Sequence, residues 1–280
     1  RVGDINPEHI ETMTILKGPA ASVLYGLRAA NGAIIITTKS GKSGKPSFNF
    51  KSSVSFDDVT KTPPIQTTYG NGNGGAYVPS VNSWGPKIES GIPVYNPYDV
   101  FFKTGHQTQN SFTFSGGNDN ATYFTSISNS EQKGVVPNSD YGKTSIRLSG
   151  TLKASEKFKF EGSANYINSG GKNPRTGITS GTIFYLMRHT NTVNPADYLN
   201  PDGTEKTYNA SIQNPFYFTE NAFLKDNVNR VIGNLGAEFK ANDWLTFNYK
   251  AGIDNYTDFR QIYNEKGLLF STLVSMTEER

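Results

Sequence analysis

Residues 144–167 read TSIRLSGTLKASEKFKFEGSANYI, and apolar and polar side chains alternate along most of this stretch. The apolar set is Ile146, Leu148, Leu152, Ala154, Phe158, Phe160, Ala164 and Tyr166. Alternation with a period of two is typical of a strand with one apolar face and one polar face. Because only Ser155 and Glu156 separate the two alternating segments, the stretch predicts two antiparallel strands joined by a very tight turn.

The same alternation recurs in both directions from this stretch. It is regular in residues 47–56, 110–116, 231–241 and 245–253 and less regular in residues 122–128, which gives seven predicted strands. Several of them have about 10 residues, the length that a tilted strand needs to cross the hydrocarbon core of a bilayer. High Gly, Tyr and Phe content agrees with a mainly β protein that contains many turns.

The connections between the predicted strands alternate between short and long. Residues 117–121, 155–156 and 242–244 form short joins, whereas residues 57–109, 129–143 and 168–230 form longer ones. Outer-membrane barrels sort their connections in this way, with tight turns at one end and long loops at the other. An antiparallel sheet whose polar face meets bulk water explains the alternation equally well. The sorted connections favour a transmembrane sheet, with apolar side chains facing lipid and polar side chains lining a hydrated lumen.

Upstream of residue 46 the pattern changes. Residues 13–16 predict a short strand, Gly18 and Pro19 a turn, residues 20–30 a helix of small side chains, and Asn31-Gly32 a tight turn. Residues 33–38 are apolar on both faces, as expected for a strand enclosed by other protein. We therefore predict a small α/β plug unit in residues 1–42, followed by barrel in residues 43–280. The sequence opens without Met, so we expect a longer protein whose targeting segment lies upstream.

Residues 4–42 closely resemble the end of the plug domain of SusC/RagA-type TonB-linked outer-membrane proteins. The matching positions are Lys17, Gly18, Ala20, Ala21, Tyr25, Gly26, Arg28, Ala29, Ala30, Asn31, Gly32, Ile36, Thr37, Thr38 and Lys39. Leu27 departs from the pattern, because a small residue is more usual there. Residues 110–150 and 184–195 also resemble later parts of the family.

The resemblance implies a barrel of about 22 strands around a plug, of which this chain would supply the end of the plug and the first barrel strands. It implies import of an oligomeric nutrient, more often a glycan than a peptide, across the outer membrane of a Gram-negative, Bacteroidetes-like cell. The implied partners are a SusD-like lipoprotein, outer-membrane lipid, and TonB, which would act through a segment outside this sequence. A surface-exposed β-sheet binding protein or adhesin without transport is the alternative function.

Other functional classes find little support in the sequence. The net charge is only +3, and the Lys and Arg residues are scattered, so no nucleic-acid partner is expected. The chain has no Cys, and His9, His106 and His189 stand alone without metal-ligand spacing. We expect no enzymatic activity, no metal and no cofactor.

The candidate contact residues lie in the long connections. Aromatic side chains at Tyr69, Tyr77, Trp84, Tyr95 and Tyr98 are suited to stacking on sugar rings or gripping the SusD-like partner, and packing within the loop is an equally good interpretation. Arg28 is expected either to contact the barrel wall from the plug or to be solvated. Residues 181–190 predict a short helix inside the longest connection.

Overall fold

The fold is described by a computed structural model that covers residues 5–177, 180–269 and 275–279. Two antiparallel sheets are present, one of two strands and one of eight strands in which each strand pairs with its neighbours in sequence. The strands are β1 (Ile10–Leu16), β2 (Ala33–Thr38), β3 (Gly44–Asp57), β4 (Gly105–Gly117), β5 (Ala121–Lys133), β6 (Asp140–Lys153), β7 (Phe158–Pro174), β8 (Ala222–Asn242), β9 (Leu245–Asn264) and β10 (Ser275–Glu279). The helices are α1 (Pro19–Tyr25), α2 (Pro97–Phe101), α3 (Thr182–Met187) and α4 (Pro215–Asn221), with 3-10 turns at Pro7–His9 and Leu27–Ala29.

The strand register of the large sheet, called the wall from here on, confirms that apolar and polar residues occupy opposite faces. One row of directly paired residues on one face is Phe50, Phe112, Ile127, Ile146, Tyr166 and Val231. The adjacent row, on the opposite face, is Lys51, Ser111, Ser128, Ser145, Ile167 and Arg230. The first face is called outward and the second inward, because the plug residues described below contact the second.

All seven predicted strands are present, and β10 adds an eighth by pairing with β9. Most wall strands are longer than predicted. They run 13–21 residues from β3 to β9, because pairing continues beyond the apolar segment into residues that are polar on both faces. Tight turns at residues 118–120, 154–157 and 243–244 lie at one edge of the wall. Residues 58–104, 134–139 and 175–221 connect the strands at the other edge, as the sequence predicts.

The wall is staggered as a barrel wall should be. Thr122 closes the β4–β5 hairpin and pairs with Thr151, whereas the β6–β7 hairpin closes two residues later at Lys153. Lys159 in turn pairs with Glu238, and the β8–β9 hairpin closes four residues beyond it at Asn242, which pairs with Leu245 after a register shift. A stagger in the same direction between neighbouring hairpins is the consequence of strand tilt in a barrel. In the described residues the wall is an open sheet with β3 and β10 as its edges.

The segment upstream of the wall, residues 5–42, forms the predicted α/β unit and is called the plug segment. Strands β1 and β2 pair with each other, and α1 lies between them in the chain. The predicted helix over residues 20–30 is divided, because Gly26 has a φ of +72° and ends α1 before a 3-10 turn begins. The expectation that β2 is enclosed on both faces is not met by the described residues. Ile34 is half exposed, because an open wall covers the plug segment from one side only.

The two longest connections fold together over the loop edge of the wall. One apolar core joins Tyr185 with Ile212 and Phe218, and a second joins Tyr98 and Phe101 of the first connection with Leu186 and Phe216 of the second. Residues 58–104 and the described part of the second connection, residues 175–177 and 180–221, are therefore one packed unit, called the loop module. Helix α3 confirms the helix predicted within residues 181–190. None of the described helices has the length and apolar character required to span a bilayer.

Candidate functional site: the plug clasp and the loop module

The plug segment is attached to the inward face of the wall by a cluster of polar contacts, called the clasp. Its plug residues are Asn6, His9, Thr38 and Lys39, and its wall residues are Ser126, Ser128, Arg147 and Ser149. Asn6 Nδ2 donates to Ser128 Oγ. His9 Nε2 lies 2.9 Å from Ser126 Oγ, Arg147 Nη2 donates to Thr38 Oγ1 over 2.5 Å, and Ser149 Oγ lies 3.5 Å from the Lys39 carbonyl oxygen.

The pairing of the strands brings these residues together. Ile10 pairs with Thr38, and Lys39 N donates to the His9 carbonyl over 2.8 Å, so the start of β1 and the end of β2 form one end of the plug sheet. On the wall, Ser126 pairs directly with Arg147. The clasp therefore joins one end of the plug sheet to two neighbouring wall strands.

The electrostatics of the clasp depend on a neutral histidine. Burial, reinforced by the nearby charge of Arg147, lowers the pKa of His9 to about 4. His9 is therefore neutral at physiological pH, which avoids placing two positive charges in one buried contact. An exposed ion pair between Lys51 Nζ and Glu8 Oε2, 2.9 Å long, lies beside the clasp and adds little free energy.

Thr38 and Lys39, at the end of the matched plug segment, belong to the clasp. The plug motif from Lys17 to Gly32 occupies the opposite part of the plug segment. Ala21 and Ala29 are buried, and Gly32, with a φ of +112°, turns the chain into β2. Arg28 is exposed, so its predicted contact with the barrel wall is not made by the described residues. The remaining motif residues are Lys17, Gly18, Ala20, Tyr25, Gly26, Ala30 and Asn31, which lie in α1, its flanking turns and the turn before β2. Their functional role stays a prediction.

Most of the clasp is not predicted from the sequence. His9 stands alone without metal-ligand spacing, and no local pattern assigns a role to Asn6 or Arg147. One indication was available for Arg147, because it is the only Arg within the seven predicted strands. A guanidinium on the inward face of a membrane sheet needs a polar partner, and here the plug segment supplies it.

The aromatic candidates of the loop module fall into two groups. Tyr69, Tyr77 and Trp84 are exposed, and the rings of Tyr69 and Trp84 lie 6.3 Å apart. Tyr95 is half-buried. The predicted ligand or partner contact of Tyr98 is corrected by the structure. Its side chain is buried in the loop core against Phe102 and is not available for a ligand or partner, so Tyr98 packs within the loop.

The backbone of the exposed Tyr69–Trp84 pair is held by half-buried Gln66 and buried Asn191. Gln66 Nε2 donates to the carbonyl oxygens of Tyr69 and Ser83, each over 2.7 Å. Buried Asn191, from the other connection of the loop module, donates to the Gln66 carbonyl over 2.8 Å and to the Tyr69 carbonyl over 3.2 Å. The backbone that carries the two rings is therefore held in place, which lowers the entropy cost of stacking on a ligand.

The structure gives the remaining histidines no common site. His189 is buried against Tyr208, with a ring separation of 4.9 Å, and burial lowers its pKa to about 4. His106 lies in β4. Within the described ranges, no group of three or more His, Asp or Glu side chains has a geometry suited to a metal ion.

Comparison with known proteins shows which family has this architecture. No protein-family model matches the chain. The TonB-dependent receptor SusC of Bacteroides thetaiotaomicron is 30% identical over 259 residues, which cover 84% of this chain and 25% of SusC. The chain belongs to the SusC/RagA group of TonB-dependent receptors. TonB-dependent receptor P3 of Formosa agariphila is also 30% identical, over 181 residues that cover 62% of this chain and 16% of P3.

Solved structures agree with the fold of a SusC/RagA receptor. The RagAB peptide importer in its closed-closed state aligns with 99% of this chain and 35% of the RagAB chain, with a TM-score of 0.72 and 21% identity. Its open-open state gives a TM-score of 0.73. At this identity the likeness concerns the fold alone. The chain spans about a quarter of the length of SusC.

Proposed function

We propose that this chain is part of an outer-membrane importer that moves an oligomeric nutrient and performs no chemistry on it. The observation that carries the proposal is the clasp, in which a small α/β unit docks on the polar face of a staggered membrane sheet through hydrogen bonds. Four such bonds contribute about 2–6 kcal/mol together. An attachment of this size holds the plug segment at rest and is released at modest cost, as transport through a plugged barrel requires.

We propose that the partners are a SusD-like lipoprotein at the loop edge and TonB at the opposite side of the membrane. The loop module supports the first assignment, because two rigidly packed connections present exposed Tyr69, Tyr77 and Trp84 on a preformed surface. Preformed surfaces with aromatic anchors are typical of protein and ligand contacts. The family supports the second assignment, since its members depend on TonB.

A glycan is the substrate class that we favour. The fixed Tyr69–Trp84 pair offers apolar ring faces of the kind that pack against pyranose rings, and SusC is among the relatives of the chain. A peptide is the second candidate, because the similar solved structures belong to a peptide importer. Both substrates would reach the lumen past the loop module.

Uptake measurements test the proposal. Cells with and without the gene, and with TonB disabled, are supplied with labelled oligosaccharides and peptides, and we expect uptake of one class to depend on both genes. Trp84→Ala should reduce oligosaccharide uptake, whereas Trp244→Ala should not, because Trp244 is exposed at the tight-turn edge. Uptake that is independent of the gene and of TonB would favour the adhesin alternative.

A further inference from the structure

The outward side chains of β7 and β8 change from apolar to polar at a defined height above the tight-turn edge. From the turn upward, the outward side chains of β8 are apolar from Phe239 to Val231, and Asn229, Asn227 and Lys225 follow. Along β7 the corresponding change occurs between Tyr166 and Asn168. A strand tilted by about 40° rises about 2.6 Å per residue, so Val231 lies about 23 Å above Lys240. This height agrees with an apolar band of about 25 Å in membrane barrels.

The asparagines directly above this band form a connected polar patch. Asn168 Nδ2 donates to Asn227 Oδ1 over 3.0 Å and to Asn229 Oδ1 over 2.9 Å. Tyr166 Oη also donates to Asn229 Oδ1, over 2.9 Å. Asn227 and Asn229 are exposed. A polar patch that continues the lipid-facing surface lies at the depth of the lipid headgroups.

Two lysines lie on the same face, farther from the tight-turn edge than the asparagines, and their positive charges favour a bound anion. Lys172 and Lys225 are direct partners across β7 and β8 and share the outward face. Like charges that are directly opposite destabilise a sheet. Lys172 Nζ lies over the Phe223 ring at 4.0 Å. Asp140 Oδ1 accepts a hydrogen bond from the Lys172 backbone N–H over 3.0 Å, but no acidic side chain within the described residues forms an ion pair with the ammonium group of Lys172 or Lys225. By the same rise per residue, the pair lies roughly 15 Å above the last apolar row.

A cleft next to the lysine pair completes the surface. Gly142 and Gly170 are paired on the outward face and leave a depression of 490 Å³, which is lined by His106, Thr108, Glu131, Gln132, Lys133, Asp140 and Tyr141 in addition to the two glycines. The cleft combines Lys133 with two carboxylates, so a simple anion matches it poorly. A ligand with both hydroxyl groups and phosphates matches it better, since hydroxyls donate to carboxylates and carboxamides while phosphates pair with lysines.

We propose that this surface, formed by Asn168, Asn227, Asn229, Lys172, Lys225 and the neighbouring cleft, binds the headgroup of a phosphorylated glycolipid of the outer leaflet. The orientation of the wall, with its long loops outside the cell, rests on the proposed function. The sugar units lie against the asparagines and the cleft, and a phosphate lies between the two lysines. The acyl chains continue down the apolar band below Tyr166. Such a bound lipid would fix the receptor in the asymmetric membrane and offset the repulsion within the lysine pair.

Lipid binding by the purified full-length receptor tests the proposal. Receptor in detergent is titrated with lipopolysaccharide, and bound lipid is counted by native mass spectrometry. We expect the combined Lys172→Ala and Lys225→Ala changes to weaken binding about tenfold, as expected for the loss of two charge-assisted contacts. The control is Lys153→Ala with Lys240→Ala, which removes the same charge at the tight-turn edge and should leave binding unchanged. Vesicles of phosphatidylethanolamine and inorganic phosphate should not compete.

Equal weakening in the two double variants would overturn the proposal, as would effective competition by inorganic phosphate or by phosphatidylethanolamine. A change of oligomeric state in the lysine variant, with lipid binding unaltered, would instead assign the surface to a second copy of the chain and also overturn it. Heat-dependent gel mobility confirms that each variant is folded. Nutrient uptake is measured separately, so that loss of lipid binding with intact uptake is distinguished from failure of the import function.

Discussion

At the scale of single residues, the protonation state of the His9 imidazole affects how strongly the plug segment is attached to the wall. Its folded pKa of about 4 lies below the value of 6.5 for an unperturbed histidine. His9 therefore binds a proton more readily when the clasp is open. The stability of the clasp is fully present above about pH 7 and falls as the pH drops from 6.5 towards 4. The loss amounts to at most about 3 kcal/mol. We expect hydrogen exchange of the β2 amides, corrected for intrinsic rates, to accelerate over this pH range.

A histidine at another position provides the control for this prediction. His9→Asn keeps a polar side chain without a titrating ring and should remove the pH dependence of exchange between pH 6.5 and 4. His106→Asn changes a histidine in β4 and should leave that dependence intact. A pH profile that is the same in wild type and His9→Asn would show that His9 does not control the clasp.

Another residue-scale prediction concerns Gly85, which lies beneath the exposed aromatic pair. A Cβ atom at this position would lie 2.2 Å from the Asn71 carbonyl oxygen, and backbone cannot yield to it as a side chain would. We expect Gly85→Ala to destabilise the loop module by about 1–3 kcal/mol and to shift the fluorescence of Trp84. Gly252→Ala is the matched control, because the nearest atom to its new methyl group would be 3.6 Å away. Unchanged fluorescence and stability in Gly85→Ala would contradict this account of the loop.

At the scale of elements, the two faces of each wall strand should respond differently to a new charge. Phe160 is on the outward face and Ser163 on the inward face of the same strand, where Ser163 Oγ accepts from Asn234. Phe160→Arg should lower barrel stability in lipid vesicles by about 2–4 kcal/mol if the position is near the midplane, and Leu148→Arg should behave likewise. Ser163→Arg should cost far less. Equal losses on denaturant unfolding would show that the outward face does not contact lipid.

The strands were the most predictable elements, since alternation is a local property of the sequence. The clasp was not predictable, because Ser126 and His9 are far apart in sequence and nothing local indicates their contact. The sequence leaves open whether Tyr98 contacts a ligand or packs within the loop, because α2 has only five residues, too few to show which side of a helix is buried. The Asn patch was also missed, since carboxamides on the outward face interrupt the apolar pattern that defined the strands.

At the scale of the whole molecule, the proposed import mechanism requires that the plug segment change its contact with the wall, because in that mechanism a clasped plug closes the lumen. These 280 residues contain no Cys, so introduced thiols are the only ones in this part of the receptor. We expect His9→Cys combined with Ser126→Cys, joined by a short thiol-specific cross-linker in cells, to abolish uptake of the nutrient. The uncrosslinked pair should retain much of the uptake, because the other clasp contacts remain. The control joins Thr122→Cys to Thr151→Cys, which face each other within the wall at a hydroxyl separation of 2.6 Å, and this cross-link should leave uptake intact. Full uptake with the plug covalently held would mean that nutrient passes without release of the clasp, and the mechanism proposed from these contacts would be wrong.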